Sequence, residues 1–324
     1  MWRDSRARTT LANGGALIGP GSIFGLLSAF SWGAGDFAGG LVSRYASVLA
    51  AMLASQGIGM VATGLILLVV GEAAPVADSI LWAAIAGSSG VAGLAFFYLA
   101  LARGTMGVVA PLAALIGAGV PVLVAIINGE TVDASRTIGI ALALAAVVLI
   151  SLPSRPANAE QRRVIRADIA ELPMVVLAGL GFAGFFIGVD RATSDGSLWW
   201  PLTIVRLFGI TLVVLAIVVA MWRRGAGTGR ERAAGVLGFD RLRDSGRTFA
   251  SVLPLFVLSG LGDLGGNVFF VFARGADTLA VAVVLSSLYP VVTTLLAALL
   301  LRERLRPVQL VGVALATLSV PLLR

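Results

Sequence analysis

The sequence predicts an all-α membrane protein of ten transmembrane helices, arranged as two inverted five-helix repeats. Three observations predict it. The 324-residue chain is 58% hydrophobic and 13% charged, with a mean hydropathy of +0.97, whereas soluble domains carry about a quarter charged residues. Ten apolar segments follow one another, most of them long enough, at about 1.5 Å rise per residue, to cross a ~30 Å hydrocarbon core. The second half also repeats landmarks of the first at a nearly constant offset.

Composition excludes several kinds of chemistry. All 24 basic residues are arginine, and Lys, His and Cys are absent. There is therefore no disulfide framework, thiolate nucleophile, imidazole base, Cys/His metal site or lysine Schiff base. A phosphate-binding Gly-x-x-x-x-Gly-Lys-Ser/Thr loop is equally impossible. No metal and no cofactor are expected. The net charge of +7 resides in loops and tails, and arginine-rich loops beside apolar helices face lipid head groups. The lipid bilayer is the expected partner, and nucleic acid is not.

Residues 1–21 form a basic tail carrying Arg3, Arg6 and Arg8. The apolar run that follows is too long for the core of a signal peptide and ends in Asp36 and a glycine cluster, so an uncleaved first helix is expected. The ten segments are Ser22–Leu41, Ser47–Val70, Ser79–Leu101, Gly107–Ile127, Thr137–Leu152, Leu172–Val189, Leu198–Met221, Val252–Ala273, Thr278–Leu301 and Val308–Leu323. Short connections make consecutive helices antiparallel neighbours. The first repeat spans 22–152 and the second 172–324. The connection 153–171 and a basic stretch at 222–251 read as solvated loops without catalytic content.

Repetition fixes the architecture. Segments three to five read FFYLALARG, an apolar run with Pro121, Asn128-Gly129-Glu130, then a helix containing Gly139. Segments eight to ten read VFFVFARG, an apolar run with Pro290, Leu301-Arg302-Glu303, then a helix containing Gly312. Arg103 and Arg274 stand 171 positions apart, Glu130 and Glu303 stand 173 apart, and so do Gly139 and Gly312. Five is odd, so the second copy enters the membrane from the opposite face, which places a binding site near the midplane between the halves.

The candidate site is organised around Leu258–Ala273, where Asp263 and, one turn later, Asn267 sit among Gly260, Gly262, Gly265 and Gly266. A carboxylate at that depth is costly unless it meets a partner or a polar cavity, and glycines allow close helix approach or open a lumen. Arg206 lies roughly 12 Å into segment seven, and Asp263 roughly 15 Å from the same face. The two charges can therefore meet. Arg206 could hold a carboxylate or phosphate while Asp263 binds an amine or a proton, or the two could form a structural ion pair. Asp36, roughly 21 Å along the first helix, is a gate or relay group, or a carboxylate reaching interfacial water. Trp32, Tyr98 and Tyr289 line a pocket or pack the bundle. Gln56, Ser287 and Asn267 bond a ligand or a neighbouring helix. Pro111, Pro121 and Pro290 permit bends. Arg103, Arg274, Glu130 and Glu303 are read as helix-end charges, and Asp190 and Arg191 as solvated.

The repeated pattern of an aromatic-rich helix ending in Ala-Arg-Gly, a Pro-containing helix, a charged turn such as Glu303-Arg304-Leu305 and a Gly-containing short helix resembles the EamA-type family of the drug/metabolite transporter superfamily. It covers nearly the whole chain, in both halves. The first copy departs from it at Asn128-Gly129-Glu130-Thr131, which lacks the second basic residue. The resemblance implies a ten-helix secondary carrier, not an enzyme, that exports small metabolites or amino-acid-like solutes by alternating access around a central cavity. Asp36, Arg206, Asp263 and Asn267 are the expected lining, and a gradient the energy source. A multi-pass protein of a bacterial inner or plasma membrane is expected, with a homodimer allowed but not required. The alternatives are an intramembrane lipid-modifying enzyme and a lipid scramblase or partner subunit. Ten crossings put both termini on one side. Sixteen arginines in loops of the opposite side against seven on the termini side predict termini outside, while the resemblance implies cytoplasmic termini.

Overall fold

The computed structural model describes residues 19–103, 106–152, 161–224 and 228–324. Among them there is no strand. The first five helices are α1 (Pro20–Val42), α2 (Val48–Val70), α3 (Ala77–Arg103), α4 (Met106–Ile127) and α5 (Ala134–Ser151). Then come α6 (Gln161–Ala192), α7 (Trp199–Arg223), two short helices α8 (Gly229–Leu237) and α9 (Asp240–Asp244), and α10 (Phe249–Ala276). The last apolar segments form α11 (Leu279–Ser286), α12 (Tyr289–Leu300) and α13 (Pro307–Ser319), which ends in a 3-10 turn, Val320–Leu323.

Eight helices are long and apolar enough to cross a membrane: α2 to α7, α10, and α11 with α12 taken together. The molecule is a multi-pass membrane protein. Length and apolarity alone thus account for eight of the ten expected crossings among the described residues. The other two segments fall short for visible reasons. In α1, six glycines, three serines and Asp36 dilute the apolar residues, and Pro307–Leu323 is short. Exposed Val69 (87%) and Ile127 (82%) mark outer helix faces suited to lipid.

The loops hold more helix than expected. Residues 161–171 continue α6 instead of forming a loop, because Ala, Arg, Gln and Glu are good helix formers without being apolar. The stretch 222–251 carries α8, started by a capping box in which Thr228 and Glu231 bond each other's backbone N–H. The ninth apolar run, expected to be continuous, breaks at Ser287–Leu288, where Pro290 lies in the first turn of α12. Side chains of Ser47, Asp133 and Thr278 cap α2, α5 and α11 by accepting from Ala50, Arg136 and Val281 N–H groups.

The most extensive packing pairs α3 with α6 and α1 with α10, followed by α4 on α6 and α1 on α11 and α12. Next come α5 on α13, α2 on α7, α3 on α7 and α2 on α10. Small residues make these approaches possible: a Cβ on Gly262 would lie 2.7 Å from the Cα of Gly35, and one on Gly181 would lie 2.7 Å from the nitrogen of Gly93. Every residue of α11 is buried, which puts this helix at the centre of the bundle.

Candidate functional site

Arg206 is the largest fully buried side chain, 1% exposed. Its Nη1 donates to the Asp263 carboxylate and, at 3.1 Å, to Gln56 Oε1, so three helices meet at one guanidinium. Glycines admit it: a Cβ at Gly59 would stand 2.9 Å from Arg206 Nε, and one at Gly209 would stand 3.0 Å from Gln56 Oε1. Ser55 Oγ donates to Asp263 Oδ2 at 3.2 Å. Only one of the three guanidinium nitrogens is used, since Nε and Nη2 have no partner. The depth match expected for Arg206 and Asp263 is met, and the ion pair neutralises two charges that would each be costly alone in an apolar bundle.

Asp263 is not sealed in. Its side chain is a third exposed while that of Arg206 is 2% exposed, so the carboxylate stands between the guanidinium and open space. Asp36, one residue beyond the Gly35 contact with α10, is exposed and has no hydrogen-bond partner among the described residues. It lies within Coulombic reach of Asp263, Tyr98 and Tyr289. These four groups come from α1, α10, α3 and α12. Asp36 is exposed and Tyr98 is 40% exposed, while α1 packs chiefly on α10, α11 and α12, and α3 on α6 and α7. Two carboxylates and two phenols from four helices therefore border one region of the bundle, a candidate cleft.

Trp32 closes the floor. It is 9% exposed and touches Phe186 at 5.7 Å between ring centroids and Tyr289 at 6.4 Å, with Phe185 and Phe270 alongside. Asn267 is 1% exposed with an unpartnered Oδ1, one turn along α10 from Asp263. All eight side chains singled out in the sequence are thus placed: Asp36, Asp263, Tyr98 and Tyr289 on the cleft, Arg206 and Gln56 behind Asp263, Trp32 and Asn267 in the packed layer. No group of three or more metal-ligating side chains occurs among the described residues.

Sequence reasoning missed the ties at the face that holds residues 19 and 324, the termini face. There Glu72 accepts from the N–H groups of Leu198 and Trp200 (2.7 and 2.8 Å), and Trp200 Nε1 donates to the Glu72 carbonyl. Glu130 accepts from Leu279 and Ala280 N–H (2.9 and 3.3 Å). Carboxylates of the first half thus cap α7 and α11 of the second. The signal was present in the sequence, since Gly71-Glu72 and Gly129-Glu130 are the same dipeptide, each glycine with positive φ (64° and 89°) ending a helix. Arg274 adds ion pairs to Glu130 (3.5 Å) and Asp190, and Arg136 pairs with Asp277 (3.1 Å) while donating to the Arg324 carbonyl. Asp190, expected to be solvated, is a half-buried partner.

Among proteins of curated function, none matches the chain. The fold is shared with solved structures, of which 19 chains match. One, described only as a crystal structure of a protein, covers 93% of this chain and 95% of its own with a TM-score of 0.67 at 15% identity, a likeness of fold alone. Residues 19–152, which hold α1 to α5, match the model of the EamA-like transporter family.

Proposed function

We propose that the protein is a secondary-active transporter that exports small solutes by alternating access, its ten apolar segments crossing the membrane as two inverted five-helix repeats. The packing supports the repeat. Exchanging α1 to α5 for α6, α7, α10, α11 with α12, and α13 turns the α3–α6 contact into α10–α1, the α4–α6 contact into α11 and α12 on α1, and α3–α7 into α10–α2. In this arrangement the termini face is closed by the Glu72 and Glu130 caps and by the Arg274 and Arg136 ion pairs. The cleft lies toward the other face, since Tyr98 is five residues from the end of α3 and Asp36 six from the end of α1.

The observation that carries the reading is that Asp36 and Asp263 are accessible inside an otherwise apolar bundle. Intramembrane carboxylates persist where a ligand or proton uses them. An enzyme acting on lipid is less well served, because the cleft offers carboxylates and phenols and, among the described residues, no exposed cation to hold a phosphate. Coupling follows from competition: Asp263 holds Arg206 when the site is empty, and a bound solute or proton loosens that pair. We place the protein in the cell membrane.

The test is a solute screen in sealed proteoliposomes, with and without an imposed pH gradient. Wild type is run beside Asp36→Asn and the double variant Arg206→Gln/Asp263→Asn, which removes the pair without stranding one charge. The expected outcome is gradient-driven accumulation by wild type, lost in both variants while they still elute as folded protein. Equal movement in all three would show the charges to be structural. Modification of a lipid with no solute moved would favour an enzyme.

A further inference from the structure

The groups that a solute can reach in the cleft are not balanced in charge. Asp36 is exposed and bonded to nothing among the described residues. Asp263 Oδ2 is taken by Arg206 and Ser55, and no hydrogen bond engages Oδ1. Among the described residues the one cation at this depth, Arg206, is 1% exposed and lies behind Asp263, with its unpartnered Nε against Gly59 on α2. A solute entering the cleft therefore meets carboxylate oxygens and phenols before it meets any guanidinium.

We propose that the solute class is the organic cation: a small amine- or guanidinium-bearing molecule with an apolar or aromatic body, its charged end held between Asp36 and Asp263. This rests on the transport reading of the same site and narrows it, replacing amino-acid-like solutes by their decarboxylated counterparts. Two further observations agree. Asn267 Oδ1, buried and without a donor, belongs to the face of α10 that carries Asp263, four residues earlier. An N–H-bearing cation reaching below Asp263 would supply that donor, whereas an anion would supply none. Tyr98 and Tyr289 stand within Coulombic reach of Asp36, with Trp32 in edge contact with the Tyr289 ring, and aromatic faces attract cations and repel anions. A carboxylate brought into this cleft would face two like charges inside an apolar bundle, where such repulsion is stronger than in bulk water.

The experiment compares matched pairs that differ by one carboxylate, tyramine with tyrosine and agmatine with arginine, by thermal shift of the purified full-length protein and by competition in proteoliposomes. The amines are expected to raise Tm saturably and to bind about tenfold more tightly or better than the amino acids, as loss of a charge-assisted contact implies. Asp36→Asn should abolish the shift, and Asp36→Glu should retain it. Amino acids binding as well as or better than amines would overturn the proposal, as would an amine shift that survives in Asp36→Asn or the binding of no amine at all. Amines that bind but are never moved would sink the transport reading and leave the ligand class standing. An anion or zwitterion moved through a route lost in Asp36→Asn would do the reverse.

Discussion

The α1–α10 and α3–α6 crossings are built alike and differ in chemistry. At each, glycines bring two backbones together: Gly35 and Gly262 at the first, Gly93 and Gly181 at the second. The α3–α6 crossing needs nothing more; Ser89 bonds a carbonyl of its own helix, and a Cβ on Gly188 would meet Ala86. The α1–α10 crossing adds Ser28 and Ser31 hydroxyls donating across to Gly266 and Gly262 carbonyls at 2.8 and 2.9 Å, and sets Asp36 and Asp263 beside the contact. Since the α3–α6 contact holds without carboxylates, the fold does not require them at its counterpart. Their presence is what the proposed transport role accounts for.

The hardest way to break both crossings is to fill them. Gly262→Leu and Gly181→Leu should each abolish monodisperse protein in a fluorescence-detected elution assay, because the side chain meets backbone that cannot yield, an overpacking of several kcal/mol. The next test separates the crossings. Asp263→Asn strands Arg206 in the bundle and should lower stability by about 3 kcal/mol in thermal melts, with Arg206→Gln/Asp263→Asn recovering most of it. A double variant no more stable than the single would show the pair to be unimportant to the fold. Serine hydroxyls sharpen the contrast at smaller scale: Ser28→Ala and Ser31→Ala should each cost about 1 kcal/mol, and Ser89→Ala at the other crossing close to nothing.

The smallest effect is a control outside the bundle. The Thr228 backbone N–H, and after it the Thr228 hydroxyl, hold the Glu231 carboxyl below its usual range. A lowered folded-state value means the cap is fully formed above the ordinary glutamate range and is lost as pH falls through the lowered one. Protection of α8 amides, taken relative to the intrinsic exchange rate at each pH, should fall on acidification, and Glu231→Gln should remove that pH dependence without changing protection at either crossing. A pH response that persists in Glu231→Gln would assign it to another group.

Much of this was legible in the sequence, for identifiable reasons. Arg206 and Asp263 could be matched in depth because helical rise is constant and both sit in long apolar runs. Asp36 stood out as a carboxylate among glycines. Other features depend on tertiary context. Ser287 and Leu288 interrupt a run in which Pro290 signalled only a bend, and Glu72 looks like any loop acid until Leu198 and Trp200 come within reach. The α6 extension over 161–171 escaped because apolarity, not helix propensity, was the guide. That Arg206 would be hidden behind Asp263 was also beyond composition, since it follows from Gly59 and Gly209 opening a slot between α2 and α7.

The carboxylate caps on the termini face have a consequence for how the chain is made. Glu72 and Glu130 are synthesised well before the amides they bond, at Leu198, Trp200, Leu279 and Ala280. The half that leaves the ribosome first thus presents two waiting acceptors, and the later half arrives with amides at the starts of α7 and α11 that these acceptors satisfy. The earlier half acts as a template on which the later one docks. Two separately produced fragments divided within 153–160 should therefore find each other in the membrane, as strangers with complementary ends.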